Sequence, residues 1–494
     1  MPAVNPLRDA LEAKRFCYVV ELVASRLTRE ARLLEVASEL AQVPGVVAGS
    51  ITSYAGGALG HDPIRVGTAA RARGLAPNIH LTCVNRSRAN AQRALEDLAA
   101  LGIENVFALT GDYPKSSPSS ASSHSSSATF GNEKARFELD SVQLIALINE
   151  MRANGMPFWI AVAVSPFKYT EADCAYQYLK LEKKIAAGAN YAITQLGYDA
   201  KKFRELKNYL DENKLQMPIL GNVYVLTAKA AEKMFKGEPP GCWVAPELLQ
   251  KIQHETQSSG TTDKGLAARL ERAARTVAIL RGLGYAGAYL GGEHRADRVR
   301  WIINRSETIA PQWEEFEKEM TYAPKGGFYF YESARMPMKK LGLVPRVLDL
   351  MARLFPVNRA SKLRGALATV LGWVDRRPGL AHVVERVEFA IKRPVFGCEA
   401  CGNCMLGQME YVCPQTCPKN LRNGPCGGTL LGRCEVVDKP CIWVEVYDRA
   451  KTTGRIEELR THIPPRNPAL QGTSSWINYF LERDSRPGRP GKSD

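Results

Sequence analysis

Eight short runs of β-branched and apolar residues recur through the first three hundred positions, and their count limits the possible folds more than any other feature. They are FCYVVELV from Phe16, GVVAGSITS from Gly45, NIHLTCV from Asn78, NVFALTGD from Asn105, FWIAVAVS from Phe158, YAITQLG from Tyr191, PILGNVYVL from Pro218 and YAGAYLGG from Tyr285. Each is bounded by polar or turn residues, as buried parallel strands are. Between them lie segments apolar at helical spacing, such as LTREARLLEVASELAQV from Leu27, SRANAQRALEDLAALG from Ser87, ELDSVQLIALINEMRANG from Glu138 and GLAARLERAARTVAILRGLG from Gly265. Strand–helix alternation of this kind requires a parallel sheet. Eight repeats predict an α/β fold of the (β/α)8 TIM-barrel type over residues 1–310, with an open doubly wound sheet as the other arrangement of the same alternation.

The rest of the 494 residues divides by composition. Residues 311–392 turn to basic helices broken by prolines and are predicted to be a helical connector, whose amphipathic stretch suits packing on a neighbouring domain better than a membrane surface. Residues 393–455 form a small cysteine-rich, metal-binding domain, and 456–494 a tail, rich in Pro, Arg, Gly and Ser, that is expected to be partly disordered. Residues 116–127, SSPSSASSHSSS, hold nine serines in twelve positions directly after the fourth strand. A mobile loop is expected there, either a lid over the barrel's active face or a tolerated insertion.

No apolar run reaches the roughly 18 residues of a membrane span. The N-terminus lacks the apolar region and cleavage site of a secretory signal, so a cytoplasmic location is expected. The formal charge of +15 admits nucleic acid or an anionic small ligand. Since the basic residues are spread along the chain and not interleaved with aromatics, a nucleic-acid partner is not expected.

In a barrel of this type the reactive groups sit at the C-terminal ends of the strands. The polar residues there are few: Glu21 inside VVELV, His80 and Thr82 in HLTC, Asp112 closing ALTGD, Ser165 closing the fifth strand and Gln195 in AITQ. Burial disfavours a charged carboxylate and raises its pKa, which suits Glu21 to general-acid work near neutral pH; a structural ion pair in the barrel mouth fits the position equally. Asp112 follows Gly111, which leaves room for a flat ligand, or else it caps the next element. A mid-strand histidine such as His80 is more often a satisfied core side chain than a ligand contact. For Lys183 and Lys184 a solvated helix face is the default.

The motifs HLTC, ALTGD, LEKKIAAGANYAITQ and GNVYVLT follow one another in an order and spacing that resembles the methylenetetrahydrofolate reductase family, over roughly residues 15–305. The resemblance implies a barrel that holds FAD across its strand ends and reduces 5,10-methylenetetrahydrofolate to 5-methyltetrahydrofolate, or the reverse, by a ping-pong hydride relay, as in one-carbon metabolism and methionine synthesis. It makes Glu21 a substrate-contacting general acid and Asp112 a catalytic residue beside the flavin. Thr52, His80, Thr110, Gly111 and Ser165 would line the cofactor, Lys184 would lie near its phosphates, and Gln195 would contact folate. Two positions depart from the pattern: Gln177 replaces an acidic residue near the ribityl chain, and Ala228 stands near where a stacking aromatic is expected. The electron donor, NAD(P)H or a ferredoxin-like redox protein, stays open, and a homo-oligomer is compatible with the sequence.

Eight of the twelve cysteines, Cys398, Cys401, Cys404, Cys413, Cys417, Cys426, Cys434 and Cys441, fall within one short segment. In a reducing compartment such density points to metal, held as iron–sulfur clusters of the 4Fe-4S type or as zinc, since both accept four thiolates. NGPCGG, GRCEV and CIWVEVYDR make this region similar to the C-terminal domain family fused to, or partnered with, methylenetetrahydrofolate reductases of anaerobes and some other bacteria. The resemblance implies an accessory domain that passes electrons to the flavin or serves as scaffold. A different class of protein, a folate-binding partner of a methyltransferase system that docks through its cysteine domain, shares these features.

Overall fold

The computed structural model describes residues 5–25, 28–53, 60–114, 129–130, 133–135, 137–260, 263–354 and 362–484. The eight apolar runs become eight strands: β1 (Cys17–Leu22), β2 (Val46–Ile51), β3 (Pro77–Thr82), β4 (Asn105–Leu109), β5 (Trp159–Val164), β6 (Tyr191–Thr194), β7 (Ile219–Tyr224) and β8 (Gly287–Gly291). Each pairs in parallel with the next, and β8 returns to β1 with Cys17 opposite Gly287, closing the barrel. The runs are apolar throughout because both faces are covered: Val19, Val20, Ile51, Ile79, Val106, Ile160 and Val162 are wholly buried.

The helices that follow the strands supply the outer layer: α1 (Glu30–Leu40), α2 (Pro63–Arg71), α3 (Arg88–Ala100), α4 (Ser141–Ala153), α5 (Glu171–Ala186), α6 (Ala200–Glu212), α7 (Leu266–Gly282) and α8 (Ala296–Ile309). Their starts carry the expected caps. Ser87 accepts from the amide of Asn90 at the head of α3, and Asp140 with Gln143 forms a reciprocal capping box on α4. One helix breaks the pattern. On α5 the buried residues include Asp173, Gln177, Lys180, Lys183 and Lys184 as well as the apolar positions, so its polar face is covered by protein.

The chain forms two compact units: Met1–Arg335 with Pro425–Lys439, and Met336–Gly424 with Pro440–Asp494. The first therefore extends past residue 310 and takes in fifteen residues from the cysteine-rich region. The second contains α9 (Leu343–Leu354), α10 (Lys362–Asp375), α11 (Pro378–Phe396), α12 (Ile442–Thr453) and α13 (Ser475–Phe480). Its core includes Met409, Leu421, Trp443, Val446 and Tyr447. Leu459, Ile463, Leu470 and Ile477, from the segment after residue 455, are buried in this unit. The serine-rich segment 116–127 and the last ten residues lie outside the described residues. No helix among the described residues is long and apolar enough to cross a membrane.

Candidate active site

Strand register brings the predicted residues to one end of the barrel. Glu21, near the end of β1, lies opposite Ser50 of β2, and Ser50 lies opposite Asn78 of β3. Side chains alternate along a strand, so Asn78, His80 and Thr82 share one face. They form a polar layer: Ser50 Oγ is 2.9 Å from His80 Nε2, and Asn78 Nδ2 donates to Ser50 Oγ at 3.1 Å. The Phe107 ring meets His80 edge-on at 4.8 Å between centroids. Burial pushes the His80 imidazole down to about 3, so the ring is neutral at any physiological pH.

Glu21 is half-buried, and desolvation pushes its carboxyl up to about 7; the Tyr289 hydroxyl beside it opposes this weakly. Its Oε2 lies against Gly291, and so does the ring of Tyr224 at the end of β7. An aromatic therefore stands beside Glu21 although position 228 holds alanine. Ala228 instead opens the helix Ala228–Phe235, behind the Thr227 cap.

Between the two carboxylates sits a residue absent from the sequence reading. Cys242 is buried within electrostatic reach of both Asp112 and Glu21, and burial, reinforced by Asp112, pushes its thiol up to about 12. Nothing local marks it, since its loop belongs to neither a strand nor a motif. Thr110, Gly111 and Asp112 continue β4 half-buried, with Gly111 at φ +89°, backbone that a side chain would strain. Thr52 is buried and its Oγ1 accepts from the amide of Ala24 at 3.1 Å.

Gln195 follows β6, its amide bonded to Val164 O at 2.7 Å, and its side-chain Oε1 accepts from the Leu196 amide at 3.0 Å. Lys184 is buried on α5 and donates to Ala163 O at 2.5 Å. Desolvation lowers its pKa to about 7.

These groups fit a flat redox cofactor laid over the strand ends. Thr82 Oγ1 and Ser165 Oγ are buried there without a hydrogen-bond partner, and Gly111 packs closely against the side chains of Val84 and Thr82. Buried hydroxyls without partners are uncommon in folded proteins and mark places where a ligand or water completes the set.

In the second unit, Cys398, Cys401, Cys404 and Cys413 line one pocket together with Glu388 and Lys392. The Ala400 amide donates to Cys398 Sγ at 3.4 Å, and Lys392 Nζ, paired with Glu388 at 2.7 Å, lies 3.5 Å from Cys404 Sγ. The expected eight-cysteine metal set is not assembled as such: among the described residues no three His, Cys, Asp or Glu side chains are placed to hold a metal ion. Cys417 and Cys441 belong to the second unit, whereas Cys426 and Cys434 lie in the stretch that folds with the barrel. The physical reason for that division is a set of hydrogen bonds from α5 to the stretch's backbone.

The comparisons with known proteins agree with this geometry. A family model described as "Methylenetetrahydrofolate reductase" matches residues 6–275, and one described as "Methylene-tetrahydrofolate reductase C terminal" matches residues 378–469. Methylenetetrahydrofolate reductase 2 of Schizosaccharomyces pombe is 24% identical over 254 residues, covering 49% of this chain and 37% of that protein. The 5,10-methylenetetrahydrofolate reductase of Pectobacterium carotovorum is 29% identical over 136 residues, covering 27% of this chain and 39% of that one. The chain thus spans less than two-fifths of the length of either relative.

Proposed function

Because the chain belongs to the methylenetetrahydrofolate reductase family, with the matching C-terminal family fused behind its barrel, we propose that it interconverts 5,10-methylenetetrahydrofolate and 5-methyltetrahydrofolate. The observation that carries this reading is Glu21: a carboxyl at the barrel mouth whose pKa lies near 7, facing an aromatic ring and within reach of the same thiol as Asp112. FAD bound across the strand ends and reduced by a nicotinamide nucleotide would supply the hydride. Thr82, Ser165, Thr110 and Gly111, with Thr52 and neutral His80, would hold it there.

Glu21 holds a proton at neutral pH and donates it to the folate nitrogen as the imidazolidine ring opens, since a general acid works best with a pKa near the ambient pH. Asp112 would stand beside the developing iminium cation, and electrostatic help at such a place is strongest in a site shielded from water. Gln195 orients the pterin through its amide. The Tyr224 ring offers the stacking surface that the family pattern places elsewhere. Lys184 is turned to Ala163 O, so its cofactor role is restricted to the charge it adds behind that carbonyl. A nicotinamide nucleotide is the donor that suits the family.

The four-cysteine pocket supports a metal centre in the second unit. A single tetrahedral zinc, at about 2.3 Å from each sulfur, would draw its ligands close together. Four cysteines lining one pocket, with hydrogen-bond donors already aimed at two of the sulfurs, supply the four thiolates that a 4Fe-4S cluster takes. Cys398, Cys401, Cys404 and Cys413 would be its ligands.

The test is anaerobic purification followed by an absorption spectrum, iron and zinc analysis, and an assay of 5-methyltetrahydrofolate oxidation with an artificial acceptor. Flavin bands with activity that Glu21→Gln abolishes are expected, and a wild-type chain inactive in both directions with every donor would remove the reductase reading. Iron bound in the wild type and lost in Cys404→Ser is the expected result for the cluster; zinc alone, or no metal, would remove it.

A further inference from the structure

The stretch Pro425–Lys439 folds with the barrel although the 89 residues Met336–Gly424 of the other unit separate it from Arg335. Its path is fixed almost entirely through its main chain. Lys168 Nζ donates to Gly427 O at 2.7 Å and also to Thr429 O; Gln177 Nε2 donates to Cys426 O at 2.9 Å; Lys180 Nζ donates to Pro425 O at 2.8 Å. In return, Asp173 Oδ2 accepts from the Gly432 amide at 2.7 Å.

The barrel side of this socket is built, not incidental. Lys168, Lys180, Asp173 and Gln177 are 1%, 2%, 2% and 5% exposed. A buried ammonium is costly unless its protons are satisfied, and here peptide carbonyls of the stretch satisfy them. On the opposite side Gly241, at φ +77°, lets the backbone close in: a Cβ there would stand 2.2 Å from Gly427 O.

The socket delivers one residue to the strand ends. A Cβ on Gly427 would lie 3.9 Å from Ser165 Cβ and 4.0 Å from Gln195 Nε2, with nothing nearer. The backbone of Gly427 is outside the left-handed region, and no neighbour would collide with a Cβ. Neither conformation nor packing therefore demands glycine at this position: a Cβ would rest in ordinary contact with Ser165 and Gln195, and the glycine leaves that volume unfilled.

We propose that Gly427, held in place by Lys168, forms one wall of the barrel's folate site, so that a segment of the C-terminal family completes the substrate pocket and sets its width beside Gln195. The proposal rests on the reading of Gln195 as a folate contact. It makes Lys168, Gln177 and Lys180 positioning residues, acting on the ligand only through the stretch they hold.

The experiment is equilibrium binding of 5-methyltetrahydrofolate to the full chain and to Gly427→Ala, Gly427→Val and Gly427→Leu, with urea midpoints measured in parallel. Affinity is expected to fall in step with side-chain size, by about tenfold or more at Leu, as overfilling a packed site does, while the midpoints hold. Hydrogen exchange on the wild type gives a second arm that requires no variant to fold: the ligand should slow exchange at residues 426–429. Absence of binding by the wild type sinks the folate reading and the wall with it. Binding that is indifferent to Leu, or unaccompanied by protection at 426–429, sinks the wall alone.

Discussion

Lys168 Nζ donates to the carbonyl of Gly427, 259 positions later in the chain, at 2.7 Å. With Thr429 O also accepting from it, this one ammonium ties a distant stretch of chain to the barrel's mouth. Lys168→Met keeps much of the length of the side chain and removes the donor, leaving buried carbonyls unsatisfied at a cost of about 1–3 kcal/mol. Hydrogen exchange at residues 425–433 should accelerate while the barrel strands keep their protection. Unchanged exchange there would show that the stretch does not depend on the lysine.

Glu21 gives a pH signature with a definite sign. Its carboxyl, held near 7 against a usual value near 4.3, keeps its proton in the folded state where the unfolded chain has released it. The stabilisation is complete below about pH 4.5 and is lost as pH rises through 7, a change of up to about 3 kcal/mol relative to Glu21→Gln. Denaturation curves of the two proteins from pH 4.5 to 8 measure it, and parallel curves would count against a protonated Glu21. Activity that depends on that proton should be level below about 7 and fall tenfold per pH unit above it.

His80 runs the other way. With its pKa depressed to about 3, folding excludes the imidazolium, so His80 costs no stability above pH 6.5 and progressively destabilises the fold as pH falls through 3. Its ring resonances should hold still between pH 5 and 8 in an NMR titration. Movement with a midpoint near 6.5 would mean that water reaches the Ser50–His80 layer.

A buried ion pair holds α6 against the segment after the barrel. Lys202 Nζ donates to Glu205 Oε1 at 2.9 Å and to Phe328 O at 2.9 Å, and Glu205 also accepts from Tyr178 OH at 2.6 Å. Glu205→Ala leaves the ammonium without its carboxylate and should cost about 3–5 kcal/mol. The double variant Lys202→Met with Glu205→Leu should lose less than the two single changes summed, since neither charge is then stranded. Urea denaturation of Glu205→Ala, Lys202→Met, Glu205→Leu and the double variant compares them; additive losses of the two single changes would show that the pair is not coupled.

The barrel was readable because strands buried on both faces are written as continuous apolar runs, and the polar exceptions to those runs, Glu21, Asp112 and Gln195, mark the strand ends. What could not be read has a common cause. Lys183 and Lys184 resemble a solvated helix face because a local pattern assumes that polar side chains meet water. In the structure Lys180 and Gln177 meet the backbone of residues 425 and 426 instead, and no periodicity on either segment announces the partner. The cysteines were visible as a cluster, but their division between two units follows the path of the main chain, which spacing does not encode. The folded part of the tail carries no local signal, because Leu459, Ile463 and Leu470 are spaced without helix or strand period, and burial of such isolated anchors leaves no regular trace.

The covered lysine face of α5 also has a consequence for how the molecule is made. A ribosome adding about 5–20 residues per second needs roughly 13 to 50 s to travel from Lys168 to Gly427. For that interval the nascent barrel has its ammonium groups in place and no carbonyls to receive them. The mouth is thus the last part of the barrel to mature, and a chain released after residue 291 but before residue 425 carries eight strands and an unfinished pocket.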